Sequence, residues 1–563
     1  MLIDLKACKD KRDLAHLLGF KLKTITYQIN VASDSEKYTK ICISKKNGKS
    51  REIFSPNSTL KAIQKSLLEI LTSCYSQIHG GMKYPVNFGF VPDLNIYENA
   101  KRHVNRRWVF NVDIENYFDS INYGRVWNFL QKNKNFLLNP EIATMISQIV
   151  CFDSRLPQGA PTSPMMANLV SGSLDYRLRT LAAEHKCTYS RYADDITFST
   201  NLRDFPAAIA CHDEVSDGWL PGEDLLLSIK RAWFSLNDTK TRMSYRRSKQ
   251  MVTGLIVNKK VNVDREYFRL VRSNIHRLLA GRDVVIKEFC DPYGDSCGDG
   301  EVDKKNAMSL IEGRINFCFD VGNRGDNRTD SAKFFKPTSV RKTYRDFLVY
   351  KYFVNGDRPI IVTEGESDVI YITAYLKSRN SSLANLVNVS LPDDRDILVD
   401  FYRFPKRPSK ILGLTGGTSG VAFALKWLGE LLPRLGKAVP RRKVLVLLDN
   451  DDGLKPITET CKSVFSKEVL SDNNDDYVEI DRFIKIVKTP HIGNKKKTCV
   501  EGFLPSDAKK DLQSGKTFSP KDDFDVTKHF GKIVFSHRVY DQRDVLDFSK
   551  FDKVSDRMSK ALS

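Results

Sequence analysis

The sequence has no CxxC pair, no apolar run approaching the ~18 residues that a membrane helix needs, and no internal repeat with a period of about 20–50 residues. Its eleven cysteines scatter from Cys8 to Cys499. Neither a disulfide framework nor a zinc ribbon is indicated, and a reducing compartment is the simplest home. The longest apolar stretch considered, Val444–Leu448, has the size of a strand. The opening MLIDLKACKDKRD puts charges where a signal peptide needs an apolar core. A cytoplasmic protein without a membrane partner is therefore expected. Acidic residues are in deficit: 69 Asp+Glu face 89 Lys+Arg, a net charge of +20 over 563 residues. That excess favours a polyanionic partner, because each phosphate neutralised releases condensed counterions. With 41% hydrophobic and 28% charged residues, the chain can bury real cores, which excludes disorder as the main theme.

At about 100–200 residues per domain, several domains are expected. Residues 1–250 mix helical stretches such as Leu60–Leu71 with strand-like pieces such as Trp108–Ile114. Residues 251–325 are helix-rich around Tyr267–Leu279 and break at the Gly/Asp-rich stretch Asp291–Asp303, read as a loop. That loop lacks the calcium-loop spacing. Residues 326–357 are expected to be a linker. From 358 to 563 short apolar strands alternate with helices, as in βαβ units and a mainly parallel sheet.

Trp108-Val-Phe-Asn-Val-Asp113 is an apolar strand ending in an acid. Ser190-Arg-Tyr-Ala-Asp194-Asp195-Ile-Thr-Phe-Ser199 reads as two short strands with adjacent acids at their junction. Alone, such an acid pair is a solvated turn. Beside a third acid on a neighbouring strand it could hold Mg²⁺, which prefers carboxylate oxygens. Between them lies Leu156-Pro-Gln158-Gly159-Ala-Pro161-Thr-Ser163-Pro164, where Gly159 permits close backbone approach and the prolines fix the loop. Upstream, Asn99-Ala-Lys-Arg-His103 forms an NAxxH box whose spacing puts Asn99 and His103 on one helix face. Downstream stands Val252-Thr253-Gly254.

In this order, these motifs resemble the palm of reverse transcriptases across roughly residues 20–260. The NAxxH box and VTG resemble hallmarks of the retron branch. The resemblance implies fingers and palm over 1–250 and a thumb that grips RNA over 251–325, within it the basic stretch Lys259–Arg282. It implies that Asp113, Asp194 and Asp195 hold Mg²⁺, or Mn²⁺, and catalyse transfer. Phe118 would be the gate against a 2′-hydroxyl, Gln158 and Gly159 would line the dNTP pocket, and Lys240 would protonate departing pyrophosphate. Arg51 would contact the triphosphate; it reads equally well as a surface charge. Asn99, His103, Val252, Thr253 and Gly254 would serve RNA recognition. The implied partners are a structured noncoding RNA, its msDNA product and dNTPs, in a bacterial cytoplasm, with room for a homo-oligomer.

A second set of acids follows. Ile360-Ile-Val-Thr-Glu364-Gly-Glu-Ser-Asp368 and Val444–Leu448-Asp449-Asn-Asp451 are strands ending in carboxylates. In parallel α/β sheets the carboxyl ends of strands bind ligands, so these acids are expected at one edge. The plainer reading is two acidic turns, with Asp368 offsetting a helix dipole. The EGxxD and DxD order resembles the Toprim domain over Arg358–Gly453. Glu364 would be an acid/base or metal residue, and Asp368, Asp449 and Asp451 metal ligands. Gly416-Gly417 resembles the family's glycine turn, and no GKS or GKT makes it a P-loop. Glu501 has no spacing argument, and Lys495–Lys497 could bind phosphate or simply be solvated.

The expected architecture is thus multidomain α/β: a right-hand-like reverse transcriptase followed by a Toprim domain with a C-terminal extension. The expected function is a retron RNA-directed DNA polymerase joined to a Mg²⁺-dependent nuclease effector, cutting DNA or RNA, in anti-phage defence. Rivals are a group II intron-like or other bacterial reverse transcriptase, and a silent Toprim module that only binds nucleic acid.

Overall fold

The computed structural model describes residues 1–44, 50–81, 85–215, 217–284, 304–378, 383, 385–391, 394–469, 474–505, 516–519, 525 and 527–563. The loop expected at Asp291–Asp303 lies outside these residues. The chain forms two compact units. Among the described residues, one comprises 1–268 and 320–326; the other comprises 269–284, 304–319 and 327–563.

After short helical segments over residues 2–37, the first unit forms an antiparallel pair, β1 (Tyr38–Ser44) and β2 (Ser50–Pro56). Helix α1 (Ser58–His79) follows, capped by Asn57, whose side chain accepts the Leu60 N–H. Its Leu60, Ile63, Leu67, Leu71 and Cys74 recur every three or four residues and are buried as one stripe. A short helix α2 (Ile96–Lys101) precedes β3 (Trp108–Asp113). Helices α3 (Ser163–Val170) and α4 (Gly172–Glu184) lead into the hairpin β4 (Thr188–Tyr192) and β5 (Asp195–Thr200). After a second hairpin, β6 (Ala210–Asp213) and β7 (Gly218–Pro221), comes β8 (Arg242–Tyr245). The central sheet runs β4-β5-β3-β8, all antiparallel. Val109, Phe110 and Val112 of β3 are buried, so both faces of this strand are covered. A last hairpin pairs β9 (Met251–Val252) with β10 (Leu255–Ile256) through Thr253 and Gly254, both at positive φ (45° and 79°), the backbone of a tight two-residue hairpin turn.

In the middle of the chain the division falls within helices α5 (Arg265–Leu279) and α6 (Lys304–Arg324), which bury Val271 and Ile275 in one and Ile311 and Ile315 in the other. Residues 326–357 include a short helix Asp330–Phe335 and α7 (Ser339–Val349), whose Tyr344, Phe347 and Leu348 sit at helical spacing and are buried. Tyr344 donates to Asn316, and Lys351 pairs with Glu312 at 2.7 Å, tying this segment to α6.

In the second unit, β11 (Ile360–Val362) leads into α8 (Glu366–Lys377). A hairpin, β12 (Val387–Leu391) and β13 (Asp394–Ile397), precedes β14 (Asp400–Phe401). Helix α9 (Gly417–Leu431) leads to β15 (Val444–Leu448), followed by β16 (Val478–Asp481) and β17 (Ile484–Lys488). The sheet order is β14-β11-β15-β17-β16, with parallel pairs throughout except β16 against β17. The all-buried run Val444–Leu448 fits a central strand covered on both faces. Among the described residues, no single helix is long and apolar enough to cross a membrane.

Candidate active sites

In the first unit, Asp113 and Asp195 are direct cross-strand partners, and Ala193-Asp194 forms the turn of the β4–β5 hairpin, with Ala193 at φ 54°. The Ile114 N–H donates to the Asp194 carbonyl at 3.0 Å, tying the turn to the end of β3. The Asp113 and Asp195 side chains are within hydrogen-bonding reach. Burial raises the Asp113 pKa, Asp194 adds to this, and Lys240 opposes it. Asp194 is also raised by burial, against the pull of Lys240, Arg51 and Arg191. Lys240 lies in a single turn, Asp238–Lys240, and its Nζ stands 3.1 Å from Asp113 Oδ2. Burial disfavours its charge, but Asp113 and its acidic neighbours outweigh that and raise its pKa.

The loop between the acids meets β2. The Phe54 N–H donates to the Gln158 carbonyl at 2.7 Å. Gly159 has φ 112°, and a Cβ there would lie 2.6 Å from Ile53 Cγ2 and 2.9 Å from the Phe54 carbonyl oxygen. Glycine is thus required both by conformation and by space. This contact secures the hairpin bearing Arg51, which acts electrostatically on Asp194. Gln158 Nε2 reaches Asp119 Oδ2 at 3.4 Å. Phe118 is half-buried, its ring centroid 5.3 Å from that of Tyr117 and 6.4 Å from that of Phe90.

The NAxxH and VTG residues are joined by side-chain bonds to one another and to the β4–β5 hairpin. Asn99, His103 and Val252 are buried. His103 also lies past the end of α2: the backbone tightens, His103 N–H donating to the Ala100 carbonyl at 3.0 Å, and leaves the helix. The two side chains converge all the same. His103 Nε2 and Nδ1 each lie 2.7 Å from a hydroxyl, Ser190 Oγ on β4 and Ser199 Oγ on β5. Ser190 Oγ donates to Asn99 Oδ1 at 2.5 Å, and Asn99 Nδ2 donates to Thr253 Oγ1 at 3.4 Å. Thr253 and Gly254 supply the hairpin turn itself. Both motifs therefore clasp the hairpin that carries Asp194 and Asp195.

Sequence reasoning missed a second brace on the same hairpin. Arg191, fully buried, makes two 2.7 Å bonds to the carboxylate of Asp175 on α4. Its Nη1 donates to Tyr117 Oη and to the Ala193 carbonyl, both at 2.9 Å. Arg191 thus fixes the residue before Asp194 and the residue before Phe118. Its place inside the acidic motif was the available signal; Asp175 had none.

In the second unit, β11 and β15 are parallel neighbours, so Glu364 and Asp449 leave the sheet at the same edge. The Asp449 N–H donates to Glu364 Oε1 at 2.9 Å, and Asp449 Oδ1 accepts the Val500 N–H at 2.8 Å. Asp368 Oδ2 accepts the Gly365 N–H at 3.0 Å, at the start of α8. The Gly417 N–H donates to the Glu364 carbonyl at 2.8 Å, so the Gly416-Gly417 turn, at φ 121° and 71°, closes on this site. Burial, reinforced by neighbouring acids, pushes Glu364 up to about 7, Asp368 to about 7 and Asp449 to about 8. Buried Glu501 joins them electrostatically and pairs with Lys532 at 2.9 Å. Lys532 lies on helix α10 (Lys532–Asp541), in a stretch the sequence left unread. Asp451 is exposed and its Oδ1 accepts the Gly453 N–H at 2.7 Å; it raises the Glu364 pKa from that position. Lys497 pairs with Asp452 at 2.6 Å.

Among the described residues, no group of three His, Cys, Asp or Glu side chains is arranged to hold a metal ion as it stands. The donor chemistry nonetheless fits a hard divalent cation. Asp113 and Asp194 at one hairpin, and Glu364, Asp368 and Asp449 at one sheet edge, are carboxylates whose charge burial disfavours, and a divalent cation would offset that.

Residues 43–255 match the family described as reverse transcriptase (RNA-dependent DNA polymerase). The chain is 31% identical over 249 residues to the Retron Ec86 reverse transcriptase of Escherichia coli, covering 42% of this chain and 68% of that protein. It is 29% identical over 303 residues to the Retron Mx65 reverse transcriptase of Myxococcus xanthus, covering 49% and 64%. A solved structure, telomerase from Candida albicans with a fragment of telomeric RNA, is similar at 10% identity and a TM-score of 0.32, over 56% of this chain and 64% of that one, a likeness that carries no weight by itself.

Proposed function

The chain belongs to the retron reverse transcriptases, and from that premise we propose that its first unit copies a structured noncoding RNA into msDNA while its second is a Toprim nuclease. The observation that carries the first half is the cross-strand pair Asp113–Asp195 with Asp194 in the adjoining turn and Lys240 on Asp113. Asp113, Asp194 and Asp195 would hold Mg²⁺, which when bound supplies Lewis acidity to the 3′-hydroxyl and the triphosphate. The chain's own residues do the rest. Arg51 binds the triphosphate, Gln158 and Gly159 shape the nucleotide pocket, and Phe118 collides with a 2′-hydroxyl. Lys240, whose proton is held by acidic neighbours, delivers it to the departing pyrophosphate. Positioning rather than covalent chemistry carries the reaction. The test is primer extension with Asp194→Asn/Asp195→Asn protein. Synthesis should fall to background, and persistent synthesis rejects the assignment.

The second half of the proposal rests on Glu364, Asp368 and Asp449 crowding one sheet edge. These residues would hold the metal, with Asp451 beside them. Glu364, up to about 7, is suited to moving a proton near neutral pH. In this reading the nuclease acts in anti-phage defence, restrained by the msDNA-containing complex and released on infection. Nucleolysis by wild-type and Glu364→Ala protein in Mg²⁺ or Mn²⁺ is the check: equal cleavage removes this site from the reading.

A further inference from the structure

At the end of β3 opposite Asp113, the first unit carries a cavity of about 980 Å³ that neither site uses. Its lining joins Arg107, Arg246 and Arg247 to Trp108, Tyr245 and Asn105, and includes no carboxylate. Among the described residues, no acid pairs with any of the three arginines. The three arginines are exposed, and Tyr245 is 41% exposed.

The walls are built rather than incidental. The Arg246 N–H donates to the Arg107 carbonyl at 2.9 Å, the Arg107 N–H to Asn201 Oδ1 at 2.7 Å, and Arg246 Nη2 to Asn105 Oδ1 at 3.1 Å. Trp219 Nε1 donates to Tyr245 Oη at 2.7 Å. The Trp108 ring lies 5.1 Å from Tyr245 and 5.6 Å from Trp219, centroid to centroid. Guanidinium groups and a fixed aromatic edge therefore share one concave surface.

We propose that this groove binds single-stranded nucleic acid, as a site separate from the polymerase cleft. Exposed arginines for phosphates beside the exposed Tyr245 ring for an unstacked base are the combination that such strands require. Trp108 and Asp113 stand at opposite ends of a six-residue strand, so the groove lies about 17 Å from the acids. A strand held here is therefore not the primer terminus. The site's ligand chemistry is a sugar–phosphate backbone with exposed bases, whether supplied by RNA or by the DNA copy.

The test uses the full chain without divalent cation, so that binding is read apart from catalysis and survives any failure of the polymerase assignment. Short labelled single-stranded RNA and DNA oligonucleotides are compared by anisotropy across a salt series, then photo-crosslinked and mapped. Crosslinks to peptides containing Trp108 or Tyr245 are expected. Arg246→Glu/Arg247→Glu should lower affinity by about tenfold or more and flatten the log–log salt slope by about 1.4, the share of two phosphate contacts on a single strand. Arg246→Gln/Arg247→Gln guards against misfolding and should shift both readouts in the same direction. DNA synthesis on a short preannealed primer–template should be unchanged. The relative affinities of RNA and DNA identify which strand occupies the groove. Unchanged affinity and slope, crosslinks confined elsewhere, or displacement by polyglutamate as effective as by RNA would overturn the proposal.

Discussion

A proton is poorly accommodated at His103. The ring is fully buried between two serine hydroxyls, and burial together with Arg102 and Arg106 lowers its pKa to about 3. The unfolded chain takes that proton near pH 6.5, so below this value the unfolded state binds a proton that the folded state refuses. Stability from this residue is full above pH 6.5 and is lost as pH falls toward 3. Between pH 7.5 and 5.5 the loss amounts to about 1.4 kcal/mol. Urea denaturation at the two pH values should show it, and His103→Gln should remove that part of the pH dependence. The Arg191–Asp175 pair makes a sharper prediction. Asp175→Asn leaves a buried guanidinium without its counter-charge, and a loss of about 3–5 kcal/mol is expected from denaturant midpoints. A loss below about 1 kcal/mol would mean that water reaches Arg191.

The elements that carry the acids were legible because their signals are local. Trp108–Asp113 and the β4–β5 hairpin each pair an apolar run with a terminal carboxylate, and they fold as strands within a residue or two of expectation. The NAxxH residues were legible as a motif but not as a structure. Spacing alone assumed that the helix continued to His103, whereas α2 stops at Lys101 and the contacts to Ser190 and Ser199 are set by chain folding. Asp175 and Lys532 gave no signal, since each finds its partner only through tertiary packing. The helices within 326–357 were not legible, because a polar start hid the stripe Tyr344, Phe347 and Leu348. The contact between β2 and the Gln158-Gly159 loop yields a prediction for the element. Gly159→Ala would push a methyl onto the Phe54 carbonyl and displace the strand bearing Arg51. Primer extension should show a raised KM for dNTPs, with the fold retained by circular dichroism. An unchanged KM would separate β2 from nucleotide binding.

For the molecule as a whole, two carboxylate sites occupy two compact units. Each crowds acids that repel one another when charged, so each is expected to gain stability from a divalent cation. At a hundredfold excess over Kd, Mg²⁺ should add about 2.7 kcal/mol to the unit that binds it. Glu364→Gln/Asp449→Asn should abolish the gain in the second unit while the first keeps its own, as read from denaturant unfolding with and without Mg²⁺. No gain in either unit would remove metal binding from the reading. The positive charge noticed in composition acquires a location in part: three arginines line a cavity of the first unit at the end of β3 opposite Asp113.

The bonds that lock the hairpin of Asp194 and Asp195 also have a direction. Asn99 Oδ1 can only accept, so the Ser190 hydroxyl points its hydrogen there and its oxygen must receive one from His103 Nε2. The ring's single hydrogen is then settled, and bare Nδ1 takes the hydrogen of Ser199. The relay runs one way, from Ser199 through the imidazole to Ser190 and on to the carboxamide. His103 should therefore exist as one tautomer, and nitrogen NMR of histidine-labelled protein would reveal it as a ring that ignores the buffer.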